Sequence, residues 1–480
     1  MKTTRRAMLV GSTALAVGCQ SIRSAPDPRQ SYFPATPITT GSNDTKRALK
    51  ILNRAGFGPT PASVADVISF GVDGWIDRQL TAPPDVLGPL SYVSPAESIG
   101  LLWRINALEC LRPGAGYELR DQSQKRVLSE LTAASILRAS YSQWQLRERM
   151  CQFWTNHFSI YARKVVTAPT RKTLDAELLY LLSADQHTVI RPNALGTFQA
   201  LLSASTQSPA MLGFLDNQLN KRGNVNENYA RELLELHTLG VKNGYSQSDV
   251  KNVANAFSGW TIEDRFLRRV GSLKFDITKH LMGTKVVLGT QLTDIEPKQE
   301  RSAIVNLLAA HPSTARFISI KLIRQFCGLE GVTERLIEST QKIFISTDGN
   351  IKNVVKHILL SDDFFASPQK FKPPFDYLTS SLRVTNANTS GFDGIQYQLE
   401  HMGQPAHQWP MPNGYPDTET AWSGNMLPRW QFALALGSNT LKGTTTDRAA
   451  TRYFVADRFD HLSLSERLMA CIASPDFQWA

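Results

Sequence analysis

The chain has 480 residues, of which 42% are hydrophobic and 20% charged, a balance typical of a globular protein. It contains no run of about eighteen apolar residues, so the sequence predicts no membrane-spanning helix. The 52 basic and 42 acidic residues give a formal net charge of +10. The basic residues are scattered, without a dense block interleaved with aromatic residues, and we therefore expect no nucleic-acid partner.

The N-terminus has the order of a secretory signal. Arg5 and Arg6 precede a short apolar stretch from Ala7 to Gly18, which is too short to span a bilayer. Paired arginines before such a stretch are the address of the twin-arginine route, which exports folded proteins. We therefore expect residues 1–19 to be a twin-arginine signal peptide and the protein to act in the periplasm or cell envelope.

Cys19 ends this segment in a sequence that resembles a lipoprotein box. The leucine usual three positions before the cysteine is replaced here by Ala16, so simple cleavage of the signal is the alternative to lipidation of Cys19. A lipid on Cys19 would be the only membrane contact that the sequence predicts. Residues 20–42 are rich in Ser, Pro and Thr, which is typical of a tether.

From residue 43 onward, apolar residues recur mainly at helical spacing. We expect residues 43–480 to form one large, mainly α-helical domain with little sheet and with irregular segments rich in Gly, Pro and Trp. Residues 285–288 are compatible with a short strand or a loop, and residues 391–429 with irregular structure. Four cysteines follow Cys19, and because their spacing matches no metal or redox motif, we expect buried free thiols.

Several sequence signals predict where helices begin. Asp44 is placed to cap the first helix, and Thr60 followed by Pro61 predicts the start of the second. Ser246 and Asp249 have the spacing of a capping box.

The densest polar cluster lies on a predicted helix over residues 226–238 that ends at Gly240. At helical spacing Glu227, Arg231 and Glu235 form a ladder together with Thr238, and His237 falls on the opposite side. Such a ladder is compatible with a solvent-exposed row of ion pairs. It is also compatible with an inward-facing site in which the arginine neutralises two carboxylates that hold a metal or activate water.

Three histidines are candidate metal ligands. His157 lies on an apolar helix face, and we expect its imidazole to be hydrogen-bonded in the core or to bind a ligand; His237 is similar. His280 precedes a glycine turn that could present it or Lys285 to a ligand, with a surface loop as the alternative. The sequence contains no phosphate loop, no Gly-x-Ser-x-Gly elbow and no His-Glu-x-x-His pair, which argues against the commonest nucleotide-binding, hydrolase and zinc-protease classes.

These motifs resemble a bacterial family known as domain of unknown function 1800. The resemblance covers nearly the whole chain after the tether. It rests on short stretches that follow the family's order, namely residues 52–60, Trp154-Thr155-Asn156-His157-Phe158, residues 226–240, residues 244–261, and Gly414-Tyr415-Pro416 with Trp422.

The resemblance implies twin-arginine export and a partner from a phosphatase-like exported family, but no activity. Because residues 226–240 are the most specific stretch, it also implies that Glu227, Arg231 and Glu235 are largely buried and hydrogen-bonded to one another. The family often has a His-Asp pair where this chain has His280-Leu281, which weakens a site built on His280.

Two classes of function follow. One is an enzyme that binds a metal or another cofactor through a buried site with Glu227, Arg231, Glu235 and His157. The other is a non-catalytic binding or assembly protein of the cell envelope, whose polar helix is structural.

Overall fold

A computed structural model describes seven stretches of the chain, which are residues 42–82, 124–164, 175–241, 243–263, 272–392, 394–447 and 461–480. The predicted signal peptide with Arg5 and Arg6, the predicted lipidation site Cys19, and Cys110 lie outside these stretches. Within them, no helix is both long enough and apolar enough to cross a membrane.

Helices make up most of the described structure, as the sequence predicts. They are α1 (Asn43–Arg54), α2 (Pro61–Leu80), α3 (Gln124–Tyr141), α4 (Gln145–His157), α5 (Asp175–Asp185), α6 (Phe198–Thr206), α7 (Pro209–Phe214), α8 (Asn228–Glu232), α9 (Gln247–Phe257), α10 (Glu300–Ala309), α11 (Pro312–Cys327), α12 (Glu334–Ser346), α13 (Ile351–Leu360), α14 (Asp362–Ala366), α15 (Pro374–Val384), α16 (Gly394–His401), α17 (Met426–Gly437) and α18 (Leu464–Ala473). Two helices continue as π-helical turns, α5 through Gln186–Ile190 and α8 through Leu233–Thr238.

The described strands form three short antiparallel pairs. They are β1 (Trp260–Ile262) with β2 (Leu273–Phe275), β3 (Lys285–Val287) with β4 (Thr290–Leu292), and β5 (Asn388–Thr389) with β6 (Thr444–Thr445). Leu288 and Gly289 both have positive φ, 50° and 76°, as a tight two-residue hairpin turn requires. Of the two alternatives for residues 285–288, the strand is therefore correct.

The helix starts follow local hydrogen bonding. Thr60 and Ser63 form a capping box at α2, and Ser246 and Asp249 form the predicted one at α9. The prediction that Asp44 caps α1 is wrong. Ser42 is the capping residue, and its side chain accepts the hydrogen bond from the backbone N–H of Thr45. Asp44 lies in the first turn, where its negative charge interacts favourably with the helix dipole.

The core consists of a large apolar cluster and a smaller one. Helix α3 contributes to both, with Leu131 in the large cluster and Ile136 in the smaller one. Cys151 and Cys327 are buried free thiols, as expected, whereas Cys471 is only partly buried. The segment over residues 391–429 is only partly irregular, because α16 occupies its beginning.

Candidate functional site

The polar ladder forms at the predicted spacing, but on the surface. An Arg231 guanidinium nitrogen lies 3.2 Å from a Glu227 carboxylate oxygen and the other lies 3.7 Å from Glu235. The expectation that the ladder is largely buried is wrong, because the Glu227, Arg231 and Glu235 side chains remain 30%, 39% and 23% exposed. The apolar face of α8, which carries Tyr229 and Ala230, takes the buried position instead.

The ladder connects α8 to the start of α9. The Gln247 amide donates to Glu227 Oε2 at 2.7 Å and accepts from Arg231 Nη2 at 3.0 Å. Thr238 does not continue the ladder, because the π-helical turn rotates it inward, where its hydroxyl donates to the Leu233 carbonyl at 2.7 Å. The hydrogen bonds of Gln247 therefore join the ladder on α8 to the first turn of α9.

His157 and His237 are both buried, and their ring centroids lie 6.0 Å apart. His157 Nε2 lies 3.2 Å from the His237 carbonyl oxygen, to which it donates, whereas neither ring nitrogen of His237 has a hydrogen-bond partner among the described residues. Burial, together with the charge of Lys321, lowers the pKa of His237 to about 3 and that of His157 well below its usual value. Both imidazoles are therefore neutral. In the described stretches, no three His, Cys, Asp or Glu side chains group as a metal site would require.

His280 lies elsewhere, and the expectation that the turn presents it or Lys285 to a ligand is wrong. Its Nδ1 bonds the Ser258 carbonyl oxygen at 2.9 Å. Lys285 donates to Glu300 Oε1 at 2.8 Å, and the second oxygen of Glu300 is 3.3 Å from His280 Nε2. His280, Lys285 and Glu300 are all buried, so this triad is an internal ion-pair network.

A cavity of about 170 Å³ lies where the two apolar clusters meet. Its walls come from α3, α4, the π-helical turn after α5, α11, residues 370–376 and the segment over residues 404–417. Of its lining residues, Phe57 and Phe375 belong to the smaller cluster, and Cys151 and Phe153 belong to the larger. Pockets that form between packed units are common places for ligands.

Three of the stretches that carry the family resemblance meet at this cavity. Phe57 comes from the first, Asn156 from the second and Tyr415 from the last. The Arg149 guanidinium holds the first stretch by donating to the Gly56 carbonyl, and it stacks 4.0 Å from the Phe57 ring centroid. Short motifs far apart in the chain are thus brought to one place by direct contacts.

The acidic groups of the cavity wall are already paired with arginine. Glu148 forms two hydrogen bonds of 2.8 Å with Arg191. Asp376 and Asp417 are paired with Arg149 and Arg324 at 2.7 Å and 2.6 Å. Because each carboxylate is matched by an arginine, these pairs add little net charge to the cavity.

Lys370 differs from these arginines. Its ammonium donates to the Gln325 carbonyl oxygen at 2.9 Å, and no carboxylate in the described part of the chain forms an ion pair with it. Burial is the main cause that lowers the pKa of Lys370 to about 8, with nearby Arg149 adding to the effect and Asp376 opposing it. At neutral pH Lys370, a half-buried residue of the cavity wall, is therefore mainly a cation.

His407 also lines the cavity. It has a φ of 57°, an uncommon conformation for a residue with a side chain, and its carbonyl accepts from the Ala162 N–H at 2.8 Å. Burial lowers the pKa of His407 to about 4, so its imidazole is neutral. In the parts of the chain that the structure describes, its ring has no hydrogen-bond partner.

Sequence reasoning missed Lys370 and His407 as site residues. Each is a single residue in a segment without a chemical motif, and nothing local distinguishes either from a surface residue. The signal that points to them is indirect. Asn156 and Tyr415 belong to motifs that the sequence analysis singles out, and in the structure both line the same cavity as Lys370 and His407.

Comparison with known proteins agrees with the resemblance. Residues 50–479 match the family described as "Protein of unknown function (DUF1800)". No match appears among curated proteins or solved structures. Because the match spans nearly the whole chain, the protein belongs to the DUF1800 family.

Proposed function

We propose that this chain is an exported cell-envelope protein that binds a small organic anion in the cavity, and that its polar helix is structural. The observation that carries the proposal is Lys370, a cation in a concave site that forms no ion pair with a carboxylate of the described residues. Partial burial of an ammonium without a counter-charge is costly, and an anionic ligand would offset that cost.

The same geometry gives little support to a site made of Glu227, Arg231, Glu235 and His157. The ladder is partly exposed and bound to Gln247, whereas His157 is buried beside His237. Of the two classes of function that the sequence left open, the structural role of the polar helix therefore fits better.

The location remains part of the proposal. The paired Arg5 and Arg6 support twin-arginine export, and Cys19 supports a lipid anchor. Family analogy supports a phosphatase-like exported partner. Copurification from the cell envelope tests the proposed partner. We expect such a protein to copurify with the mature chain and not with an unrelated lipoprotein.

Binding can be tested with 8-anilinonaphthalene-1-sulfonate, a fluorescent organic anion. We expect saturable binding at one site, weakened at least tenfold by Lys370→Met and by Ser135→Trp, which fills the cavity without changing charge. Lys251→Met removes an exposed lysine on α9 and is the matched control. If Lys370→Met and Ser135→Trp both bind the fluorescent anion with the affinity of the wild type, the proposal is overturned.

A further inference from the structure

Two glutamine side chains of the cavity are oriented by the protein. Gln404 Oε1 accepts from the Phe375 N–H at 2.8 Å, and Gln152 Oε1 accepts from Arg149 at 2.7 Å. Both partners can only donate, so the amide oxygen must face them and the NH₂ group must point away. Among the described residues neither NH₂ group has an acceptor, which leaves two neutral donors in the cavity wall.

These donors and Lys370 are half-buried and can each donate to a ligand. A ligand that satisfies them carries several oxygen atoms, of which the one nearest Lys370 bears negative charge. Hydroxyl oxygens suit the neutral amides, because a charged oxygen is not needed there. A carboxylate suits Lys370, because an ionised acceptor strengthens the hydrogen bond.

Two aromatic rings, tilted by 44° to one another, line the same cavity, and we call them the aromatic platform. The Trp409 and Tyr415 rings both line the cavity, with centroids 5.0 Å apart. Trp409 is held by a hydrogen bond of 3.0 Å from its Nε1 to Asn413 Oδ1, and the Tyr415 hydroxyl donates to the Pro405 carbonyl at 2.5 Å. An aromatic face carries partial negative charge and attracts the positively polarised C–H groups of a saturated ring.

We propose that the ligand is a sugar acid, either free or at the end of an acidic polysaccharide. Its carboxylate would pair with Lys370, its hydroxyl groups would accept from Gln152 and Gln404, and its ring would pack on Trp409 and Tyr415. This inference rests on the proposed binding of an organic anion, and it adds the chemical class of the ligand.

The test is displacement of the fluorescent anion from the wild-type protein. Galacturonate is expected to displace it at concentrations at least tenfold lower than galactose, which has the same ring without the carboxylate. Trp409→Ala is expected to weaken galacturonate binding at least tenfold. Trp430→Ala, which removes an exposed tryptophan on α17, is expected to leave it unchanged. A tri-galacturonate that displaces more effectively than the monomer identifies a polysaccharide end as the source.

The inference is overturned if the fluorescent anion binds in the cavity but galacturonate does not displace it, or if galactose or acetate displaces it equally well. In that case binding of an organic anion still stands. If the fluorescent anion does not bind in the cavity at all, the proposed function fails and this inference fails with it.

Discussion

The side-chain amide of Asn156 pairs with both backbone polar groups of Tyr415. Asn156 Oδ1 accepts from the Tyr415 N–H at 2.7 Å, and Nδ2 donates to the Tyr415 carbonyl at 3.1 Å. The approach is close, since a Cβ on Gly414 would lie 2.2 Å from the Asn156 carbonyl oxygen. The end of α4 and the segment with the aromatic platform are therefore fixed relative to one another.

Asn156→Ala is expected to lower the free energy of unfolding by about 1–3 kcal/mol, because two partly buried backbone groups lose their partner. It should also weaken binding of the fluorescent anion, since Tyr415 is no longer fixed. Asn156→Asp keeps the acceptor for the Tyr415 N–H, and its stability and affinity should lie between those of the wild type and of the alanine variant. Urea unfolding and fluorescence titration measure both effects, and an alanine variant with wild-type stability and affinity would show that this pairing does not shape the cavity.

Two basic residues should respond very differently to removal. Arg231→Ala is expected to cost less than about 1 kcal/mol, because its ion pairs are partly exposed. Lys285→Met is expected to cost about 3–5 kcal/mol, because it leaves the buried Glu300 carboxylate without its ammonium partner. Chemical unfolding of the two variants under one set of conditions gives the comparison.

The double variant Lys285→Met with Glu300→Gln is the control for that explanation. It removes both charges, and it should recover most of the stability lost in Lys285→Met. A large loss in Arg231→Ala would contradict the structural description of the ladder. Failure of the double variant to recover stability would contradict the assignment of the Lys285 effect to an uncompensated charge.

Asp185 predicts a pH dependence of stability. It is buried and accepts a hydrogen bond of 2.5 Å from Ser208, and burial raises its pKa from 3.8 to about 7. Between these values the folded chain retains a proton that the unfolded chain has released. The contribution of Asp185 to stability therefore falls as pH rises from about 4 to 7, and the penalty is complete above 7.

Asp185→Asn should remove this penalty. Relative to the wild type, its free energy of unfolding should rise by on the order of 2–4 kcal/mol between pH 4 and pH 8. Asp66→Asn, which changes an exposed carboxylate on α2, is the control and should show no such trend. Urea unfolding at several pH values measures the difference, and parallel curves for the wild type and Asp185→Asn would contradict a buried carboxyl with a raised pKa.

The proposed export is expected to depend on two arginines near the N-terminus. Replacing Arg5 and Arg6 together by Lys is expected to leave the precursor in the cytoplasm, because the receptor recognises the arginine pair. Cys19→Ala should release the mature protein from the membrane fraction. Cell fractionation and immunoblotting measure both, and normal export of the double variant would show that another route is used.

The sequence predicted the helical fold because apolar periodicity and capping residues are local signals. The Ser246–Asp249 capping box and the stop at Gly240, whose φ is 90°, depend only on neighbouring residues. Whether a polar helix face is buried, in contrast, depends on residues that are distant in the sequence. The spacing of Glu227, Arg231 and Glu235 is the same in an exposed and in a buried ladder, and the packing of the opposite face of α8 into the core decides between them.

The candidate site was less predictable for the same reason. Phe57, Asn156 and Tyr415 were visible as parts of motifs, but their proximity depends on packing across more than 300 residues of chain separation. Lys370 has no motif at all, and its lowered pKa arises from burial and from charges on α4 and α1. Such an environment exists only after folding.

The affinity of the fluorescent anion as a function of pH tests the central claim most directly. If Lys370, with its pKa of about 8, holds the anion, wild-type affinity should fall at least about tenfold between pH 7 and pH 9.5 as the ammonium loses its proton. Lys370→Arg should keep its affinity over this range, because the guanidinium remains charged. A wild-type affinity independent of pH, or the same loss in Lys370→Arg, would contradict the assignment of the cavity as an anion-binding site.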